Sequence, residues 1–201
     1  MTEEVIYNTT ELASYSAPKQ KEPEYKPYSL VNQNDPILIT ALPDFDFGDP
    51  TLDCIEIASR LVETARFHRS FGIAANQCGL LHKVFVAGNE DQYVAFFNPI
   101  IVSESSEERL MEESDLSNMG LLLHIKRPKS ISIQYQDYNG ETKLLQLDGI
   151  TSRIVQQNID RLNGIDFKSK VSQFSLDRKQ KSLTKKVKKF IKRNTIIGKS
   201  R

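Results

Sequence analysis

Between residues 130 and 147 the chain reads as strand, tight turn and strand. Ile131, Ile133 and Tyr135 alternate on one face, Asn139-Gly140 marks the turn, and residues 142–147 supply the return. Period-two alternation belongs to a strand with one buried face, and an Asn-Gly pair tolerates the positive backbone angles that a hairpin turn demands. Further β-type runs stand at residues 83–87, 93–98 and 100–103. Together they predict a mainly antiparallel sheet with one face to be covered.

Helices are available to cover it. Over residues 49–70, Pro50 sits where a first helical turn tolerates proline, and Leu52, Ile55, Ala58, Leu61, Val62 and Ala65 recur at helical spacing. Over residues 149–163, Ile150, Ile154, Ile159 and Leu162 do the same, with Gly164 placed to end the helix. A last amphipathic helix is predicted over residues 182–194, with Leu183, Val187, Phe190 and Ile191 on one stripe. No internal repeat is found. The chain is therefore expected to be α+β, with mainly antiparallel sheets around a central helix.

Charge is distributed unevenly. Eleven of the 27 basic residues fall from Arg178 onward, where no acid interrupts them, and all 26 acidic residues precede them. At the other end, Pro18, Pro23 and Pro27 are interleaved with Lys and Glu, which disfavours helix. This stretch reads as an extended arm with a short helix near residues 10–14, and Tyr7, Tyr15, Tyr25 and Tyr28 could anchor it. A chain of 201 residues suits one domain with appendages. The expected division is an arm at 1–27, a domain at 28–170 and a basic tail at 171–201. Cys54 and Cys78 lack metal or redox spacing, which suits a reducing compartment. No apolar run approaches the ~20 residues of a membrane span, and the acidic opening lacks a signal-peptide pattern, so a soluble, cytosolic protein is expected.

Three short segments carry a resemblance. Residues 72–79, Gly-Ile-Ala-Ala-Asn-Gln-Cys-Gly, resemble the first motif of the peptide deformylase family. Residues 113–117, Glu-Ser-Asp-Leu-Ser, resemble the second, Glu-Gly-Cys-Leu-Ser. Residues 156–164, Gln-Gln-Asn-Ile-Asp-Arg-Leu-Asn-Gly, resemble the third, Gln-His-Glu-x-Asp-His-Leu-x-Gly. Order and separation fit, and Arg127-Pro128, Arg153, Gln156, Asp160 and Gly164 match as accessory residues. The resemblance, spanning about residues 30–170, implies a deformylase-like fold. The sequence is most similar to the bacteriophage-encoded members.

The resemblance also implies a divalent metal held by the cysteine of the second motif and the two histidines of the third, with the intervening glutamate as general base. Here Asp115, Gln157, Arg161 and Asn158 stand at those four positions. Gln157 is a weak neutral donor, Arg161 is a permanent cation, and Asn158 cannot shuttle a proton. His68, His82 and His124 lack matching spacing, so no metal and no cofactor are expected. Asp115 and Arg161 are instead expected to form an internal ion pair. Gln77 and Leu116, whose family counterparts stabilise a developing oxyanion, are kept, giving a vestigial pocket of Gln77, Asp115, Leu116, Gln157, Asn158 and Arg161.

The functional expectation drawn from these substitutions is a catalytically inactive structural protein, a scaffold in a phage tail or baseplate, located in the virion or the cytoplasm of an infected bacterium. Its partners would be other protein subunits, held through the arm and through Leu183, Val187, Phe190 and Ile191 with Lys185, Lys186, Lys188 and Lys189 around them. Two alternatives stand beside it: a ribosome-associated binding module that uses the basic tail on nucleic acid, and an active metal-dependent deformylase with an atypical site.

Overall fold

The hairpin forms in the computed structural model, which describes residues 25–89 and 91–197. Residues 1–24 of the arm expected over 1–27, with its short helix, Tyr7 and Tyr15, lie outside them. Strands β6 (Ser130–Gln136) and β7 (Thr142–Asp148) pair antiparallel, with Ile131 opposite Leu147 and Ile133 opposite Leu145. The turn is wider than a two-residue one. Asp137 Oδ1 accepts the amides of Asn139 and Glu141 at 2.9 and 3.1 Å, and Gly140 takes φ 76°.

The hairpin extends into a five-stranded antiparallel sheet ordered β1-β2-β3-β6-β7. Its other members are β1 (Gly72–Ala74), β2 (Val84–Gly88) and β3 (Tyr93–Glu104). The two runs read at 93–98 and 100–103 are one strand. Pro99 has no amide to donate, so the ladder shifts register between Phe97 and Ile100. Asn98 takes φ 49° and uses its side chain to tie Phe45 N and O, at 2.6 and 2.9 Å, and Gln136.

Helix α1 (Cys54–Phe67) begins later than Pro50 suggested. Asp53 is the stronger start signal, its Oδ1 accepting the amides of Ile55 and Glu56 at 2.9 Å. Ile57, Leu61 and Ala65 face the sheet, while Ile55 is exposed. Helix α2 (Gly149–Leu162) lies on the sheet at the centre of the molecule. Val155, Ile159 and Leu162 enter the core with Phe85, Phe97 and Ile73, whereas Ile150, read as part of the apolar face, points outward. The polar side chains Arg153, Gln156, Asn158 and Arg161 are buried as well, so α2 is enclosed on more sides than its apolar stripe implies.

A second, two-stranded sheet was not anticipated. Strands β4 (Glu108–Glu113) and β5 (Leu123–Pro128) pair antiparallel, and Leu121, Leu123 and Ile125 join Phe167 in a small separate core. Helix α3 (Gln173–Ile197) closes that core with Leu176 and Leu183, so it starts earlier than the stripe at 182–194 indicated. Leu183 is therefore engaged with its own chain and is not offered to a partner. Arg178, Lys181, Lys185, Lys186, Lys188, Lys189, Lys192 and Arg193 are all exposed, as are Val187, Phe190 and Ile191.

The C-terminal end of α2 is pinned where Gly164 turns at φ 72°. A Cβ there would stand 2.8 Å from Ala41 N and Ile39 O, so only glycine permits the crossing of the two backbones. Leu42 N donates to Leu162 O at 2.8 Å beside it. Among the described residues, no helix is long and apolar enough to cross a membrane.

Candidate functional site

Three segments converge at the C-terminal half of α2: β1 with the 3-10 turn Ala75–Cys78, the 3-10 turn Leu116–Asn118, and α2 itself. Asp115 caps the second turn, its Oδ1 accepting Ser117 N at 2.8 Å. Gln77 caps the first from within, its Oε1 accepting Ala74 N at 3.1 Å while its Nε2 donates to Ser117 Oγ at 3.1 Å. One N–H of the Gln77 amide is left over after these bonds.

Arg161 reaches from α2 to Asp115. Its Nε donates to Oδ2 at 2.9 Å, and Nη2 lies 2.7 Å from Oδ1. Both side chains are almost fully buried, at 2% and 4% exposure. Nη2 is close enough for ionic attraction, but its N–H bonds are not aligned on an acceptor, and Nη1 meets none among the described residues. Asp166 Oδ1 stands 3.9 Å from Nη2. Asn76 fixes the helix end by donating to Arg161 O at 2.7 Å.

The remaining pocket residues turn to the backbone. Gln157 Nε2 donates to Ser114 O at 2.8 Å, and Asn158 Nδ2 to Ile154 O at 2.8 Å. Asn158 is buried against β1, where a Cβ on Gly72 would approach its Nδ2 to 2.6 Å. Leu116 is half-buried and packs against the main core. Gln77, Asp115 and Arg161 are thus linked through Ser117, and Gln157 reaches Ser114 beside Asp115, whereas Asn158 turns to Ile154 and Gly72.

Behind the pocket runs a charge network that sequence reasoning treated only as scattered accessory residues. Glu113 Oε1 accepts Arg127 Nε at 2.7 Å and also Arg153 Nη1, while Arg127 Nη1 donates to Asp160 Oδ2 at 2.6 Å. Burial works against the Arg127 charge, but Glu113 and Asp160 more than offset it and its pKa is raised. Arg153 also donates to Ile125 O and Arg109 O, at 3.0 and 2.6 Å, tying α2 to the second sheet. The sequence signal was the resemblance itself, which placed Arg127, Arg153 and Asp160 among its matching accessory residues.

Nucleophile and ligand candidates elsewhere do not join the site. Burial pushes the Cys78 thiol up to about 12 and raises that of Cys54, so neither supplies a thiolate at neutral pH. His68 follows α1, His82 packs edge-on to Phe45, and His124 is exposed on β5 beside Glu112. Among the described residues, no three His, Cys, Asp or Glu side chains gather as a metal-holding group. The donors present at the position of the implied metal do not fit one: Asp115 is engaged by Arg161 and Ser117, and Arg161 is itself a cation.

Comparison with known proteins gives consistent neighbours. The family described as Polypeptide deformylase matches residues 27–177. A protein named peptide deformylase-like from Rickettsia conorii is 31% identical over 140 residues, covering 68% of this chain and 74% of its own length. A peptide deformylase from Prochlorococcus marinus (strain NATL1A) is 31% identical over 178 residues, covering 80% and 88%. The crystal structure of peptide deformylase from Ehrlichia chaffeensis in complex with actinonin aligns with a TM-score of 0.71 at 28% identity, over 80% of this chain and 98% of that one. These neighbours overturn two expectations. The reading as an inactive scaffold of a phage tail or baseplate, with its virion location, fails because the similar proteins are bacterial and named for an enzyme activity. The reading of the chain as a non-enzyme, taken from four changed positions alone, falls with it, since the family it matches is a family of enzymes.

Proposed function

The chain belongs to the polypeptide deformylase family, and from that premise we propose that it works on the N-terminal end of formylated peptides at the site formed by Gln77, Asp115 and Arg161. The observation that carries this reading is the placement of Gln77. It stands just after β1, which is an edge strand of the large sheet. An extended peptide can add to such an edge by backbone hydrogen bonds, and its leading carbonyl then meets the Gln77 amide with its spare N–H. Nη1 of Arg161, which meets no acceptor among the described residues, adds positive charge nearby.

The test is saturable binding of a formyl-Met-Ala-Ser peptide to the purified chain, followed by calorimetry. Binding should weaken roughly tenfold in Gln77→Ala, the worth of one hydrogen bond to a buried group. Formate measured in the same samples reports whether the bound peptide is deformylated. No saturable binding, or binding unchanged in Gln77→Ala, would remove the reading.

A second surface supports a partner. We propose that the outer part of α3 docks an acidic protein, because Val187 and Phe190 lie exposed among Lys185, Lys186, Lys188 and Lys189. Phosphate binding alone would have no use for the two apolar side chains. An acidic amphipathic peptide, with Glu and Leu at helical spacing, should bind more tightly than homopolymeric RNA and lose affinity in the Val187→Ser/Phe190→Ser variant. Preference for RNA, unaffected by those two changes, would instead identify a nucleic-acid contact.

A further inference from the structure

We infer that Arg161 is the resident cation of this site, and that the site excludes a divalent metal ion. The inference concerns what holds the site together and goes beyond the peptide reading. Arg161 and Asp115 sit at two positions where the resemblance implies metal donors, and here they form a buried ion pair. The Nε–Oδ2 contact of 2.9 Å and the Nη2–Oδ1 contact of 2.7 Å engage both carboxylate oxygens. Oδ1 additionally accepts Ser117 N, so the one anionic donor has little coordinating capacity to spare.

The third position is also occupied in another sense. Gln157 uses its amide N–H on Ser114 O, which leaves a single neutral oxygen as its offering. A divalent ion entering here would have to share one carboxylate and one amide oxygen with a buried guanidinium that cannot lose its proton. Asp166, the next carboxylate, is 3.9 Å from the guanidinium and paired with Lys168 at 3.0 Å. The ion pair thus does the connecting work that a metal would do, joining α2 to the turn at Leu116–Asn118 through side chains encoded in the chain.

Metal content tests this without any peptide, so its failure and the failure of the peptide reading are told apart. The intact purified chain is incubated with Zn²⁺, Ni²⁺ or Co²⁺, desalted and analysed for metal, and its melting temperature is recorded with each ion and with EDTA. The expected result is far less than one equivalent of metal and a melting temperature that neither metal nor chelator moves. The converse variant, Asp115→Cys/Gln157→His/Arg161→His, should take up one equivalent of Co²⁺ and show the visible absorption of a thiolate-bound tetrahedral ion. A wild-type chain that keeps one equivalent or melts higher with metal overturns the inference, as does a triple variant of native circular dichroism that takes up none. Should the triple variant not fold, the wild-type measurement still decides.

Discussion

Arg161→Met should lower the unfolding free energy by about 3–5 kcal/mol, because it strands the Asp115 carboxylate in a buried site with its cation removed. The methionine fills similar space, so the loss measures charge rather than volume. Asp115 would keep Ser117 N and the weaker contact to Asn118 Nδ2, which satisfy one oxygen only. The double variant Asp115→Asn/Arg161→Met should recover much of the loss, since it removes the charge along with its partner. Urea unfolding of the four proteins gives the cycle. A single-variant loss below about 1 kcal/mol would mean that water reaches the pair and screens it as it would a surface pair.

The second large effect is expected at Glu113. Glu113→Gln keeps the shape but removes the anion shared by Arg127 and Arg153, whose side chains are each 5% exposed. Two buried guanidiniums then lose their common partner, and the expected cost is again about 3–5 kcal/mol. It should exceed that of Arg153→Met, because Glu113 and Arg127 remain paired when only Arg153 is lost. Melting curves for Glu113→Gln, Arg127→Met and Arg153→Met rank them. If Arg153→Met proved the most damaging, its hydrogen bonds to Ile125 O and Arg109 O would be the dominant tie rather than the carboxylate.

The parts of the fold legible in the sequence are those where local pattern and tertiary need agree. The β6–β7 hairpin announces itself because its alternation and its turn chemistry point the same way. The polar site residues were legible for a different reason: Gln77, Asp115 and Arg161 lie within ordered motifs, and motif order carries information that no single element does. The β4–β5 pair escaped because β4 is a run of exposed charge with only Glu113 buried, so it shows no alternation. Its partner did alternate, with Leu123, Ile125 and Arg127 inward and His124 and Lys126 outward, but the buried position taken by Arg127 masked the pattern. Ile150 and Leu183 were misread in opposite directions, one outside an apolar stripe and one inside it. Each outcome depends on where the helix is docked, which helical spacing alone does not state.

The chemical role was the least legible part. Four substitutions at the implied metal and base positions describe what the site lacks, and from them alone the chain reads as inert. The relatives restore the family context, and the geometry shows Arg161 and Asp115 paired at two of those positions. The buried ion pair is part of a closely bonded site, with Gln77, Ser117, Asp115 and Arg161 forming one connected chain of contacts.

Helix α3 leaves the body at Leu183, and every side chain from Thr184 to Arg193 is exposed. At 1.5 Å of rise per residue, Arg193 stands about 15 Å farther along the helix axis than Leu183. A neighbour gripping that outer end would hold the protein as by a handle, beyond the small core that Leu176 and Leu183 close. Tethering would then leave the fold undisturbed: the molecule could be held by its tip while both cores stay packed as they are.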